Sequence, residues 1–326
     1  MAYREASPHL FRDFKTTPPA HPGTESCNTP RIPSDTLTWK YEDYYRIISS
    51  NVCIRSNEEW LSQKFKRLYA YYYSETPLQN SEVFSLVTGA AIGTPPFYTL
   101  FASGKAIFQT DKPGEVLPYL EWFLLDALIP KLTPYLKFHA AVLSMNGRGV
   151  IFPANSGFGK TTLSFALLMH GFKYLSDEIV VMNPDTFSVL PLPRGLVIRE
   201  EGFRLLRSLG KPVPPVDFYV RSSNKDFWYF NPVDYVHLPA DGEVFADAIV
   251  FLEKPESSRR KRLEKMSKAE AVARLLSNSL DADSLAEKTV SRITELAHRT
   301  PCYSLSEHTL QGRVDCVREL MGVHIN

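Results

Sequence analysis

Residues Val150 to His170 read VIFPANSGFGKTTLSFALLMH, and Gly171 follows. A short apolar run, a glycine-bearing loop and a run with helical spacing constrain the fold more than any other feature. They predict a strand, a tight loop and a helix, with Leu163, Ala166, Leu167 and His170 on one helix face and Gly171 at the C-cap. In that arrangement backbone N–H groups and the positive end of the helix hold phosphate. The lysine of such a loop reaches the β- and γ-phosphates and the next hydroxyl serves Mg²⁺, which here means Lys160 and Thr161. Gly157 and Gly159 allow left-handed backbone and close approach. Asn155, Ser156, Gly157, Phe158, Gly159, Lys160, Thr161 and Thr162 are the expected contacts to a nucleotide. Ala154 stands where the pattern usually begins with Gly; its methyl group is tolerable while φ stays negative.

The flanks extend the order. FHAAVLSM (Phe138–Met145) reads as a strand, and Asn146–Gly149 carries the Asn-Gly hairpin signal. YLSDEIVVM (Tyr174–Met182) reads as one further strand, followed by a turn at Asn183–Thr186. Asp177, near a strand end beside the loop, is the candidate base for taking a hydroxyl proton; a turn residue is the plain alternative. Glu178 can hold Mg²⁺, which favours a few carboxylates together with substrate oxygens. Arg194 can stabilise developing charge, or it is a surface arginine at a strand end.

The rest of the chain is less specific. Met1 to about Thr38 is rich in Pro, Ser and Thr without periodicity, and predicts an extended arm. Residues 39–130 alternate strand and helix patterns without a parallel-sheet rhythm, which predicts a smaller α+β domain. Within it Tyr45–Ser56 reads as strand, turn and strand, Asn57 as the N-cap of a helix, and Tyr119–Leu128 as a buried helix. Residues 131–326 form the expected nucleotide-binding domain. The run containing Arg259, Arg260, Lys261 and Arg262 fits a solvated loop leading into a helix, and DFWYFNP (Asp226–Pro232) fits burial under a sheet.

Composition excludes some classes. Of 326 residues 44% are hydrophobic, enough for a sizeable core, and the formal net charge of +1 gives no electrostatic case for nucleic acid or an anionic membrane. Cys27, Cys53, Cys302 and Cys316 form no CxxC, so neither zinc nor a redox motif is implied, and so few cysteines predict a cytoplasmic protein. The first residues lack a secretory apolar core, and no stretch reaches the ~18 apolar residues of a membrane span.

Residues His139 to Glu178 resemble, without a gap, the catalytic core of bacterial HPr kinase/phosphorylase. The shared features are His139, the Gly147-x-Gly149 turn, the loop ANSGFGKT, Gly171 and the acidic pair Asp177-Glu178. Ala154 replaces Gly, Thr161 replaces Ser and Glu178 replaces the second Asp of that pattern. PRGLVI (Pro193–Ile198) is similar to an Arg-Gly-Leu motif of the family, at a shorter spacing from Asp177. The resemblance implies an α/β fold, a carboxykinase-like P-loop kinase domain preceded by a smaller α+β N-terminal domain. It implies Asp177, His139, Lys160 and Arg194 as catalytic residues, Thr161 and Glu178 as metal ligands, and ATP and Mg²⁺ as cofactors. The implied partners are a nucleotide and a peptide or protein with a Ser hydroxyl. The N-terminal half does not resemble the family's regulatory domain; in organisation the chain is more similar to HPr-kinase-related proteins found with peptide-tailoring systems. A small-molecule acceptor, a nucleotide-binding regulator without transferase activity, and assembly into a homo-oligomer all stay open.

Overall fold

The computed structural model describes residues 38–89, 96–154, 157–213, 215–222, 225–231, 243–254, 262–281 and 286–323. Contacts divide the described residues into two units, one holding 38–131 together with 218–227, the other holding 132–217 and the residues from 228 onward. Almost the whole expected arm, Asn155, Ser156, Arg259, Arg260 and Lys261 lie outside the described residues.

The first unit contains β1 (Tyr41–Ile47), β2 (Ser50–Ser56), α1 (Glu59–Leu68), β3 (Tyr73–Ser74), β4 (Glu82–Gly89), β5 (Phe97–Ala102), β6 (Lys105–Thr110) and α2 (Pro113–Leu128). Its strands form one sheet in the order β3-β1-β2-β4-β5-β6, parallel only between β2 and β4. Phe65 of α1 stacks on Tyr69 at 4.5 Å and meets Tyr45 of β1 edge-on at 5.0 Å, which fixes the helix on the sheet. Two expectations are corrected. Asn57 does not cap α1: Glu58 occupies the N-cap position, and the Asn57 side chain accepts a hydrogen bond from the Lys40 backbone instead. The helix expected from Tyr119 starts at Pro113, where the fixed φ of proline suits the first helical position.

The second unit begins with the hairpin of β7 (Leu136–Met145) and β8 (Arg148–Pro153). Asn146 (φ 52°) and Gly147 (φ 77°) supply the two positive φ angles that an Asn-Gly turn requires. Next come α3 (Lys160–Leu168), β9 (Lys173–Ser176), β10 (Ile179–Met182), β11 (Ser188–Leu190), β12 (Leu196–Arg199) and α4 (Glu200–Ser208). The chain passes through β13 (Phe218–Ser222) and β14 (Lys225–Phe230), rejoining this unit at Trp228. It ends with β15 (Val244–Leu252), β16 (Leu263–Lys265), α5 (Lys268–Ser277), α6 (Glu287–Arg299), β17 (Cys302–Leu305) and α7 (Leu310–Leu320).

The main sheet has the order β11-β10-β7-β8-β15-β17-β16, with β9 also on β7. β15 runs parallel to both β8 and β17. The period of two along β7 sorts its side chains: Ala141 and Leu143 join α3, α4 and α7 residues in one core cluster, whereas Ala140 and Val142 join α5 and α6 residues in the other. The fold is therefore mixed α/β, with helices on both faces of this sheet. Phe227, Tyr229 and Phe230 are buried. Cys53, Cys302 and Cys316 are buried free thiols. No helix among the described residues is long and apolar enough to cross a membrane.

Candidate active site

The loop after β8 enters α3 through two left-handed glycines, Gly157 (φ 83°) and Gly159 (φ 84°). A side chain at either would be strained, so glycine is required by conformation at both. Gly159 is the N-cap of α3 and no side chain caps the helix. Lys160 opens α3 and is buried, whereas Thr161 and Thr162 are half-buried. A Cβ on Gly202 would lie 2.5 Å from Thr162 Oγ1, so α4 presses directly on Thr162. That leaves Thr161 as the hydroxyl better placed for a cation. Ala154 is buried in the core beside the loop, where its methyl group packs rather than obstructs.

The acidic pair departs from the single strand expected over Tyr174–Met182. Ser176 pairs with Val142 and Ile179 with His139, so the register between these two pairs is kept, but Asp177 and Glu178 form a bend in which strand pairing lapses apart from one bond, from the Ala140 N–H to the Glu178 carbonyl at 3.3 Å. Ser176 Oγ spans the lapse by donating to the Ile179 carbonyl at 2.6 Å. The reason is geometric. Consecutive side chains in a regular strand point to opposite faces, yet both carboxylates here meet one cation: Arg194 Nε lies 3.9 Å from Asp177 Oδ1, and an Arg194 terminal nitrogen 3.6 Å from Glu178 Oε2. His139, opposite the lapse on β7, places Nε2 3.3 Å from Glu178 Oε1, and its backbone N–H donates to the Asn278 carbonyl.

The two carboxylates titrate in opposite directions. Burial pushes the Asp177 carboxyl above the usual range, helped by the charge of Glu178, and Arg194, Lys160 and the Tyr174 hydroxyl oppose the rise without cancelling it. Burial would raise Glu178 too, but Lys160, the His139 hydrogen bond and charge, and Arg194 outweigh it and hold that carboxyl far below the usual range. The surroundings thus push the two proton affinities apart, Asp177 upward and Glu178 downward. Lys160, Asp177, Glu178, Arg194 and His139 converge. Among the described residues no three His, Cys, Asp or Glu side chains gather as a metal cage.

No family profile matches the chain. Among curated proteins, the HPr kinase/phosphorylase of Prosthecochloris aestuarii is 28% identical over 129 residues, covering 40% of this chain and 33% of its own length. That of Chlorobaculum tepidum is 26% identical over 104 residues, covering 32% and 26%. Over these stretches the chain is similar to HPr kinase/phosphorylases. It spans a third or less of the length of these relatives. A solved structure titled Hpr(Ser) kinase/phosphatase from Coxiella burnetii aligns at 13% identity and TM-score 0.30, over 57% of this chain and 88% of that one, a loose likeness on which nothing below depends.

The site contains a further residue that carries no motif signal in the sequence. The buried Tyr174 hydroxyl donates to Asp177 Oδ1 at 2.9 Å. In sequence Tyr174 looked like one more apolar strand position; only the bend brings its hydroxyl back to a residue three places on. Removing that bond with Tyr174→Phe keeps the ring in the core. The expected result is a transfer rate lowered by roughly tenfold through lost orientation of the Asp177 carboxylate, even though the same loss raises that carboxyl further, with nucleotide affinity unchanged. Steady-state kinetics beside a direct binding titration check this; unchanged kinetics would leave Tyr174 as a core residue only.

Proposed function

We propose that this chain is an ATP- and Mg²⁺-dependent phosphotransferase that phosphorylates a hydroxyl, namely a serine of a peptide or protein. The observation that carries the reading is the convergence of Lys160, Asp177, Glu178, Arg194 and His139 beside the left-handed Gly157 and Gly159. The residues suit both cofactors. The N-terminal end of α3 and the Lys160 charge fit a polyphosphate. Thr161 and the ionised Glu178 are the residues that would hold a Mg²⁺. Bound there, the cation neutralises polyphosphate charge.

Each side chain then has one task. Asp177, with its raised proton affinity, takes the proton of the acceptor hydroxyl. The acceptor oxygen forms a bond to the γ-phosphorus as the bond to the β,γ-bridging oxygen breaks, and ADP leaves. Lys160 and Arg194 balance charge gathering on the transferred group. His139 holds Glu178 in place, and Tyr174 does the same for Asp177. Carriage of the activity by a catalytic domain of residues 131–326, with the serine peptide as acceptor, belongs to the same proposal, as does a carboxykinase-like arrangement of that domain.

The acceptor is tested by intact-mass analysis of candidate peptides, those encoded beside this chain first, after incubation with ATP and Mg²⁺. A mass gain of one phosphate group, mapped to serine, is expected. Phosphate on a small metabolite with none on any peptide would move the assignment to a small-molecule kinase.

A further inference from the structure

Arg313 lies on α7, far along the chain from the loop and with no motif around it. It is nonetheless buried, and its guanidinium donates to three backbone carbonyls: Glu307 O at 2.8 Å through Nε, Phe158 O at 2.8 Å and Glu253 O at 2.9 Å through its terminal nitrogens. Glu253 follows the end of β15, Glu307 precedes α7, and Phe158 sits in the phosphate loop between the two left-handed glycines. Five donors in a rigid planar fork suit a tie between three segments.

We infer that Arg313 is a positioning residue that preforms the phosphate loop. The inference rests on the nucleotide reading above. The Phe158 C=O and the Gly159 N–H belong to one trans peptide unit, so they point in opposite directions. Holding the oxygen toward α7 aims the Gly159 N–H away from α7, fixing one amide of the nest before any anion arrives. A nest of N–H groups in a left-handed loop repels itself when empty. A tether on the outward-facing carbonyl offsets that tendency and lowers the ordering cost of binding. Glu307 keeps the tether in place: its carboxylate accepts from the backbone of His308 and Thr309 and pairs with Arg262 at 2.9 Å.

Lys268 provides a matched control. Its ammonium also donates to three carbonyls, Ala297 O (2.6 Å), His298 O (3.2 Å) and Thr300 O (3.5 Å). Those bonds close the end of α6, whose buried residues lie in the core cluster on the sheet face opposite α3. Arg313→Lys, Arg313→Gln and Lys268→Met are compared with wild type by thermal unfolding, titration with Mg²⁺·ATP and steady-state kinetics. The expected result is Kd and KM raised about tenfold in both Arg313 variants, the effect of losing a charge-assisted hydrogen bond at the nest, with kcat at saturation within about threefold. Lys268→Met is expected to lose comparable thermal stability and keep wild-type Kd. Nucleotide affinity unchanged in the Arg313 variants, or lost equally in Lys268→Met, would overturn the inference while leaving the nucleotide reading intact. A wild-type protein that binds no Mg²⁺·ATP would overturn both. Amide hydrogen exchange on the wild type reports independently of variant folding: the loop peptide is expected to be protected before nucleotide is added, and protection arising only after addition would contradict the tether.

Discussion

Lys160→Ala is expected to abolish most phosphoryl transfer, by on the order of 10²–10³-fold, as for removal of one preorganised donor from a transition state. The residue is buried at the start of α3 and its charge acts on both Asp177 and Glu178. Its loss removes the cation expected at the β- and γ-phosphates and also leaves two adjacent carboxylates with less compensation. Lys160→Arg should not restore the rate, because a planar fork does not replace a compact ammonium in a closed site. Turnover by Lys160→Ala at the wild-type rate, in a variant shown to be folded, would mean that the loop is not the working site.

Asp177→Asn is expected to slow transfer by roughly 10²–10⁴-fold, the range for a lost general base, while nucleotide affinity stays within a few-fold. The substitution keeps the shape and removes the negative charge together with the capacity to take a proton. Arg194 and the Tyr174 hydroxyl both face Asp177, and both can still contact the amide oxygen. The pattern of loss separates the roles. Equal loss of binding and rate would make Asp177 a cation ligand, and no loss of either would make it a structural bend residue. Single-turnover kinetics beside an equilibrium titration distinguish the three.

Much of the second unit could be read from local chemistry. The Asn-Gly turn between β7 and β8, the two left-handed glycines and the start of α3 each depend on a few neighbouring residues and lie where the sequence places them, whereas α3 ends at Leu168 with Met169 as its C-cap, short of the His170 and Gly171 expected. What escaped was long-range. The run YLSDEIVVM has the apolar content of an unbroken strand, and its lapse depends on Arg194 and Lys160 drawing two consecutive carboxylates to one side. The poor fit of Asp to strands was the one local hint. Asn57 sat before a helix like a cap, but the Lys40 backbone N–H took its side chain, a partner invisible to a helix-start rule. Arg194 gave an ambiguous signal in sequence because its distance from Asp177 along the chain says little about their separation in space. The geometry brings them to 3.9 Å. Arg313 had no signal at all, because its partners are backbone carbonyls, which carry no residue identity.

The account stands or falls on where the terminal phosphate goes. Protein is incubated with Mg²⁺ and ATP labelled at the γ-phosphate, with and without peptides encoded beside this chain, and the label is followed into acid-stable, alkali-labile phosphoserine, small metabolites and inorganic phosphate. A base that can activate a hydroxyl can also activate water, so slow release of inorganic phosphate without acceptor is compatible with a kinase. Phosphoserine on a peptide is the expected product, lost together in Lys160→Ala and Asp177→Asn. Nucleotide bound but label transferred to no acceptor across a broad screen would contradict it, and would leave the loop as part of a nucleotide-binding regulator.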